Sequence, residues 1–277
     1  PGQTLSEVME AYKENPDVVY AEHNYIAEAF QSIPDDPKFT ELYGLNNTGQ
    51  TGGQADCDID APEAWEYFTG SPDMVIAVID TGIDYNHQDI AANMWHNSGE
   101  IPGNGIDDDG NGYVDDYYGY DFYNNDGNPY DDHSHGTHCA GTIGGVGDNG
   151  IGVAGVNWQV KIMAVKFLSA YGSGSYSAAV SSILYATKMG AKISSNSWGG
   201  SGYSQALKDA VEYANSKGCL FAAAAGNSAA NSDVYPLYPA AFSCSNIISV
   251  AATDHSDNRA WFSNYGTISV DLGAPGA

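Results

Sequence analysis

From residue 59 onward the chain alternates short strand-like runs with helical stretches, and this rhythm restricts its fold more than any other feature. The runs Val75–Ile79, Lys161–Phe167, Ile193–Ser197, Leu220–Ala225 and Ile247–Ala251 are short and rich in β-branched or small residues, as strands buried on both faces tend to be. The stretches Ala61–Phe68, Gly136–Gly145, Ser177–Met189 and Ser204–Ser216 have helical spacing. Strands separated by helices imply right-handed crossovers and a parallel sheet covered on both faces, an α/β class. At 277 residues, 43% of them hydrophobic, the chain has enough apolar side chain for one large core.

Two segments break the rhythm. Leu5, Val8, Met9 and Tyr12 have helical spacing up to Asn15-Pro16, and an extended stretch then runs from Val18 through Ile26. Ser32-Ile33-Pro34-Asp35-Asp36-Pro37 follows as a proline-punctuated linker, so a small α+β piece precedes the main body. The second break is residues 97–132, one long loop rich in Gly, Asn and Asp, and loops of that length usually have a function.

Charge is concentrated in that loop. No Lys or Arg lies between Lys38 and Lys161, whereas residues 39–160 hold 21 carboxylates, nine of them Asp between 107 and 132. Such a field repels itself unless cations sit in it. The whole chain carries 9 Lys+Arg against 35 Asp+Glu, a net charge of -26, which leaves no basic face for nucleic acid and no polybasic membrane anchor. No apolar run approaches the roughly 18 residues of a spanning helix, and the N-terminus lacks a signal-peptide layout.

Chemistry is expected at the carboxyl ends of the strands. Asp80 stands there, after Met74–Ile79 and before Thr81-Gly82. D-T-G after an apolar run also describes an aspartic-protease half-site or a simple turn cap. Downstream comes His133-Ser134-His135-Gly136-Thr137-His138-Cys139-Ala140-Gly141-Thr142, whose small residues let a helix start close against a sheet. Its H-x-H-x-x-H spacing leaves a zinc site open, and a hydrogen-bonded core residue is the reading preferred for His138.

Three blocks in order, V-I-D-T-G-I-D-Y-N-H-Q-D-I (78–90), H-G-T-H-C-A-G-T-I (135–143) and A-A-A-A-G-N (222–227), resemble the subtilisin-like serine proteases. The likeness extends from about residue 18 onward. It implies Asp80 as the triad aspartate, His135 as general base and Asn227 as the side-chain donor of the oxyanion hole. The physics agrees: a serine hydroxyl needs a base, and the base needs a carboxylate to fix its tautomer. The oxyanion donor is worth about 3 to 4 kcal/mol, a magnitude known from a subtilisin asparagine. By the same resemblance Gly172, Ser173 and Gly174 lie on one strand beside a bound peptide, and Ser197, Trp198 and Gly199 lie on the other. Ser197–Gly199 and Ala224, Ala225 and Gly226 would wall the primary specificity pocket, and these small walls favour a large apolar or aromatic P1 side chain. Residues 15–26 resemble the end of a subtilase propeptide, which implies that residues 1–30 are the C-terminal part of an intramolecular inhibitor, cleaved after the Tyr25–Phe30 stretch, and that 31–277 are the peptidase domain. A secreted zymogen acting on polypeptides is the implied context. The family's nucleophile block G-T-S-x-A-x-P is not found before Gly273-Ala274-Pro275-Gly276-Ala277, so the 277 residues are expected to be a fragment unable to form an acyl-enzyme.

The acidic loops gain a purpose as Ca2+ sites. Asp107, Asp109, Asn111 and Asp115, with Gly112 at the sixth position, have EF-hand-like spacing without the twelfth-position Glu. Asp121, Asn124, Asp126 and Asn128 resemble a calcium loop of thermitase-like subtilases. Asp89 with Asn149 and the backbone of Ile151 and Val153 forms a third candidate, with Asp148 as an alternative to Asn149. Hard oxygen donors favour calcium over zinc. Three such ions would still leave a charge of about -20. Of the four cysteines, Cys139 is expected to be a buried free thiol and Cys57 has no evident partner. Cys219 and Cys244 precede strands expected to be neighbours and could bridge in an oxidising compartment, at about 3.5 kcal/mol by chain entropy.

Overall fold

The computed structural model describes residues 4–25 and 32–277. The chain divides into two units, with the boundary between residues 31 and 32. The first contains one helix, α1 (Leu5–Lys13), started by a capping box in which Thr4 Oγ1 accepts the Glu7 amide and Glu7 accepts the Thr4 amide. None of its residues is buried. Residues 18–25 form no strand, so among the described residues this unit is helical without the expected β part. Ile26 and the proposed cleavage stretch beyond Tyr25 lie outside the described residues.

The second unit is built on seven parallel strands in the order β2-β3-β1-β4-β5-β6-β7. These are β1 (Gly70–Asp80), β2 (Gly119–Asp121), β3 (Gln159–Lys166), β4 (Ile193–Asn196), β5 (Leu220–Ala224), β6 (Ile247–Thr253) and β7 (Leu272–Pro275). The five runs read from sequence are β1 and β3 to β6. Of the other two, β2 has only three residues, too short to carry a periodic signal, and β7 has the sequence Leu-Gly-Ala-Pro, whose Gly and Pro are poor strand formers. Four helices accompany the sheet: α2 (Ala61–Trp65), α3 (His135–Gly144), α4 (Tyr176–Lys188) and α5 (Gln205–Ser216). No helix among the described residues is long and apolar enough to cross a membrane.

Alternation along β1 shows how both faces are used. Ala77 and Ile79 pack into one core with Ile183 and Tyr185 of α4 and Leu207 and Val211 of α5. Ile76 and Val78 pack into the other with Ala140 of α3 and Ile162 of β3. Successive side chains of a strand point to opposite faces, so a strand buried on both sides must be apolar throughout, as Ile76–Ile79 is. Ser175 and Ser204 cap α4 and α5 by accepting the Ala178 and Leu207 amides.

Candidate active site

Strand order reverses at β1, which has β3 on one side and β4 on the other. In an open α/β sheet the carboxyl edge at such a reversal is a natural crevice. Asp80 is the last residue of β1 and is buried. Its Oδ1 accepts the Thr81 amide at 2.7 Å and lies 2.7 Å from His135 Nδ1, while His135 keeps 44% of its side chain exposed. Asp80 Oδ2 is buried without a partner. A buried carboxylate against Nδ1 holds the ring with Nε2 free to take a proton, the arrangement a general base needs.

The start of α3 is anchored unusually. Its N-cap, Ser134, has φ 83° and makes no side-chain cap bond. Asp131 does the capping: it accepts the amides of His133, Ser134 and Thr137 and the hydroxyls of Thr81 and Thr137. Burial alone would raise the Asp131 pKa, but these hydrogen bonds outweigh it and hold the carboxyl below its ordinary value. Gly136 must be glycine, because a Cβ there would stand 2.1 Å from the Gly82 carbonyl oxygen. Small residues thus let the helix start against the sheet, as the sequence suggests.

The other expected site residues lie at the carboxyl ends of the flanking strands. Gly172, Ser173 and Gly174 follow β3, and Ser197, Trp198 and Gly199 follow β4, on opposite sides of Asp80. Residues 169–173 close a turn, with the Ser169 amide donating to Ser173 O and the Gly172 amide to Ser169 O. A Cβ on Gly174 would meet Phe167 O at 2.2 Å. Trp198 packs edge-on against Phe167, and the Cys139 thiol approaches Ser197 Oγ at 3.7 Å. Ala224, Ala225, Gly226 and Asn227 lie at the end of β5, with Asn227 exposed and Gly226 at φ 110°. A cavity of about 1340 Å³ beside α3 is lined by His133, Thr137 and His138 but by neither Asp80 nor His135.

Several expectations need correction. His138 is exposed, because Gly136 and Ala140 take the inward positions of α3. His133 and His138 join neither of the two groups of metal-capable side chains among the described residues, so the three histidines form no zinc site. All four cysteines are free, and Cys139 is only partly buried. Cys219 and Cys244 do flank the paired strands β5 and β6, yet the Cys219 thiol turns to Leu220 O and the Cys244 thiol faces Glu212. Burial raises all four thiols, Cys139 to about 11 and Cys244 to about 12.

The acidic loops rearrange the expected ligand sets. Around residues 107–115, Asp107 accepts the Asn111 and Gly112 amides and Asp109 accepts the Asn111 amide, but Asp115 turns to the amides of Asn104 and Gly105. Glu100 and the fully buried Asp116 gather with Asp109 instead. Tyr185, Asn97 and Asn111 all donate to Asp116, whose pKa burial nevertheless raises. In the next loop Asp121 accepts the Tyr123 and Asn124 amides and the Asn124 side chain, and its pKa is raised by burial. Asp126 accepts the Asn128 amide, while Asn128 Oδ1 turns to the Tyr85 hydroxyl.

The third loop closes best. Asp89 Oδ1 accepts Asn149 Nδ2 at 3.0 Å and Oδ2 accepts the Val153 amide at 2.8 Å, with the Ile151 amide on Asn149 Oδ1. A Cβ on Gly152 would sit 2.3 Å from Asp89 Oδ2. Asp36, assigned to the linker by sequence, belongs here: its Oδ2 accepts the Asp148 amide at 2.7 Å and its Oδ1 is buried without a partner. Burial raises the Asp36 pKa, and the nearby Asp89 raises it further. Two carboxylates, one orphaned oxygen and an all-oxygen donor set fit a calcium ion. The acidic doublet in D-D-P was the available sequence signal.

Residues 71–277 match the model of the subtilase family, peptidase S8. The chain is 38% identical to thermitase of Thermoactinomyces vulgaris over 88% of its own length and 74% of the relative's. It is 36% identical to a thermophilic serine proteinase of a Bacillus species over 97% of its length, but spans only 57% of that protein. Among solved structures, a protease from Pseudoalteromonas arctica superposes with a TM-score of 0.69 at 29% identity, covering 88% of this chain and 73% of the other. The chain belongs to the subtilase family of subtilisin-like serine proteases.

Proposed function

We propose that this chain provides the acid–base half of a serine endopeptidase, and the observation that carries the reading is the 2.7 Å contact between buried Asp80 and His135 Nδ1 at the reversal point of the sheet. In the proposed reaction His135 Nε2 takes the proton of a serine hydroxyl as it attacks the scissile carbonyl. Asp80 holds the ring and stabilises the imidazolium that forms. The oxyanion is received by Asn227, whose exposed position at the end of β5 leaves its amide available. The proton then passes from His135 to the leaving amine.

A polypeptide substrate lies extended between Gly172–Gly174 and Ser197–Gly199, held by main-chain hydrogen bonds. The small walls at Ser197–Gly199 and Ala224–Gly226 favour a large apolar or aromatic P1 residue. Residues 1–30 serve as the end of an inhibitory propeptide, and the protein is secreted. Calcium held by Asp36, Asp89 and Asn149, with the carbonyls of Ile151 and Val153, supplies positive charge that neutralises the paired carboxylates. The loops at 107–116 and 121–128 are weaker candidates for further ions.

The nucleophile is proposed to be a serine in the family's G-T-S-x-A-x-P setting, which residues 1–277 do not contain, so these residues by themselves do not form an acyl-enzyme. The carboxylate cluster of Asp36 and Asp89 with Asn149 carries one second reading, a non-catalytic calcium-binding scaffold. Cleavage of peptides varied at P1 by the product of the whole coding sequence separates the two. Preference for Phe, Tyr or Leu supports the enzyme; a preference for Lys or Arg refutes the pocket reading, and no cleavage favours the scaffold.

A further inference from the structure

Lys166 carries a charge in a place where charge is costly. Its side chain is 1% exposed, and a buried ammonium is tolerated only when its donors and its charge are matched. All three donors are used: Nζ donates to Thr81 O at 2.6 Å, to Asp132 Oδ1 at 2.7 Å and to Leu168 O at 2.8 Å. These acceptors belong to three different segments. Thr81 follows Asp80, Leu168 begins the exit from β3 toward Gly172–Gly174, and Asp132 lies in the loop that enters α3 at His135. Lys166 is also the register partner of Asp80 on the adjacent strand.

Thr81 is the hub through which this matters. Its amide donates to Asp80 Oδ1, and its hydroxyl accepts the Gly136 amide and donates to Asp131. Among the described residues Asp80 Oδ2 has no partner, so the carboxylate is oriented there by the two contacts at Oδ1, from the Thr81 amide and from His135. The Asp80 carbonyl in turn accepts the Phe167 and Leu168 amides, so the β3 exit hangs from the same point. A carboxylate tethered at one oxygen is free to swing unless the peptide that tethers it is fixed. The tethering N–H belongs to the Asp80–Thr81 peptide, whose carbonyl the Phe167 and Leu168 amides hold, and the lysine fixes the next peptide unit at the Thr81 carbonyl, so both planes that flank the Thr81 Cα are pinned.

We propose that Lys166 is a positioning residue: its buried ammonium pins the Thr81 carbonyl, thereby sets the Asp80 carboxylate against His135 Nδ1, and ties the Gly172–Gly174 edge to the same point. The proposal rests on reading Asp80 and His135 as the acid–base pair. A lysine with only a structural role would change stability and leave the Asp80–His135 hydrogen bond intact. The test therefore reads that bond directly and needs no serine.

In the 15N-labelled 277-residue chain, the His135 Nδ1 proton is assigned by its loss in Asp80→Asn, and its exchange rate with water is measured. Lys166→Met is expected to speed exchange about tenfold, by loss of a charged hydrogen bond, and Lys166→Arg to restore the slow rate. Asp132→Asn, which alters a half-exposed side chain, is expected to speed exchange about threefold. A folded Lys166→Met chain exchanging at the wild-type rate overturns the proposal. If that variant does not fold, a wild-type rate in Asp132→Asn overturns it. The failure of the underlying reading looks different: a wild-type chain with no protected Nδ1 proton refutes the Asp80–His135 pair itself, and with it the role assigned to Lys166.

Discussion

Removing Asp36 should have opposite consequences with and without calcium, and the structure sets the sizes. In the absence of metal, Asp36→Ala loses one hydrogen bond, from the Asp148 amide, at a cost of about 1 kcal/mol. It also removes a buried oxygen with no partner, which relieves about 1 to 3 kcal/mol, and the repulsion from Asp89. In EDTA the variant should therefore melt at or slightly above the wild-type temperature. With calcium at about a hundred times its Kd, the wild type gains about 2.7 kcal/mol by mass action. For a body of this size that is a rise of about 5 to 11 °C in Tm, which the variant should lack. Acidity adds a check on sign. The Asp36 pKa is raised in the folded state, so its own contribution to stability is present below the usual carboxylate pKa and is lost as pH rises through the folded value. In EDTA that contribution favours mild acid; in calcium, which requires the ionised carboxylate, acidification should lower Tm. Differential scanning calorimetry of both proteins in both buffers reads all of this. A full calcium increment in Asp36→Ala refutes the reasoning, because the ion would then be bound elsewhere.

Asp131 has a lowered pKa, so its stabilisation should be present above the usual carboxylate range and fade as pH falls through the folded value. Asp131→Asn should accordingly cost about 2 kcal/mol at pH 7 and less near pH 3 in urea titrations; a gap that widens in acid would contradict this. Cys139, with its pKa near 11, should react with iodoacetamide at pH 8 about two hundred times more slowly than a free cysteine, and labelling at the free-cysteine rate would show its surroundings to be wrong. Tyr185→Phe removes the hydroxyl that reaches buried Asp116 at 2.6 Å and should cost about 1 to 3 kcal/mol by urea denaturation; no loss would mean Asp116 is satisfied otherwise.

The sheet was legible because each long strand of the core is a run whose side chains must be apolar on both faces. β2 carries no such signal, since its three residues, Gly119–Asp121, sit inside the acidic loop. Asp80 and His135 are singled out by the resemblance of residues 78–90 and 135–143 to the subtilisin-like proteases, and the small residues there, Gly136 most clearly, let the helix start close to the strand end. What sequence could not supply was three-dimensional grouping. Asp36 looked like part of a linker until burial put it beside Asp89, and Asp115 kept EF-hand spacing while its carboxylate turned to residues 104 and 105. Lys166 looked like one more strand residue, since spacing along a chain says nothing of a side chain that binds three distant segments.

The central claim is that Asp80 and His135 activate a serine, and covalent labelling by a fluorophosphonate tests it most directly. On the product of the whole coding sequence one equivalent of label is expected, with labelling abolished by His135→Ala and slowed about 10⁴-fold by Asp80→Asn. No labelling, or labelling that survives loss of His135, would contradict the account.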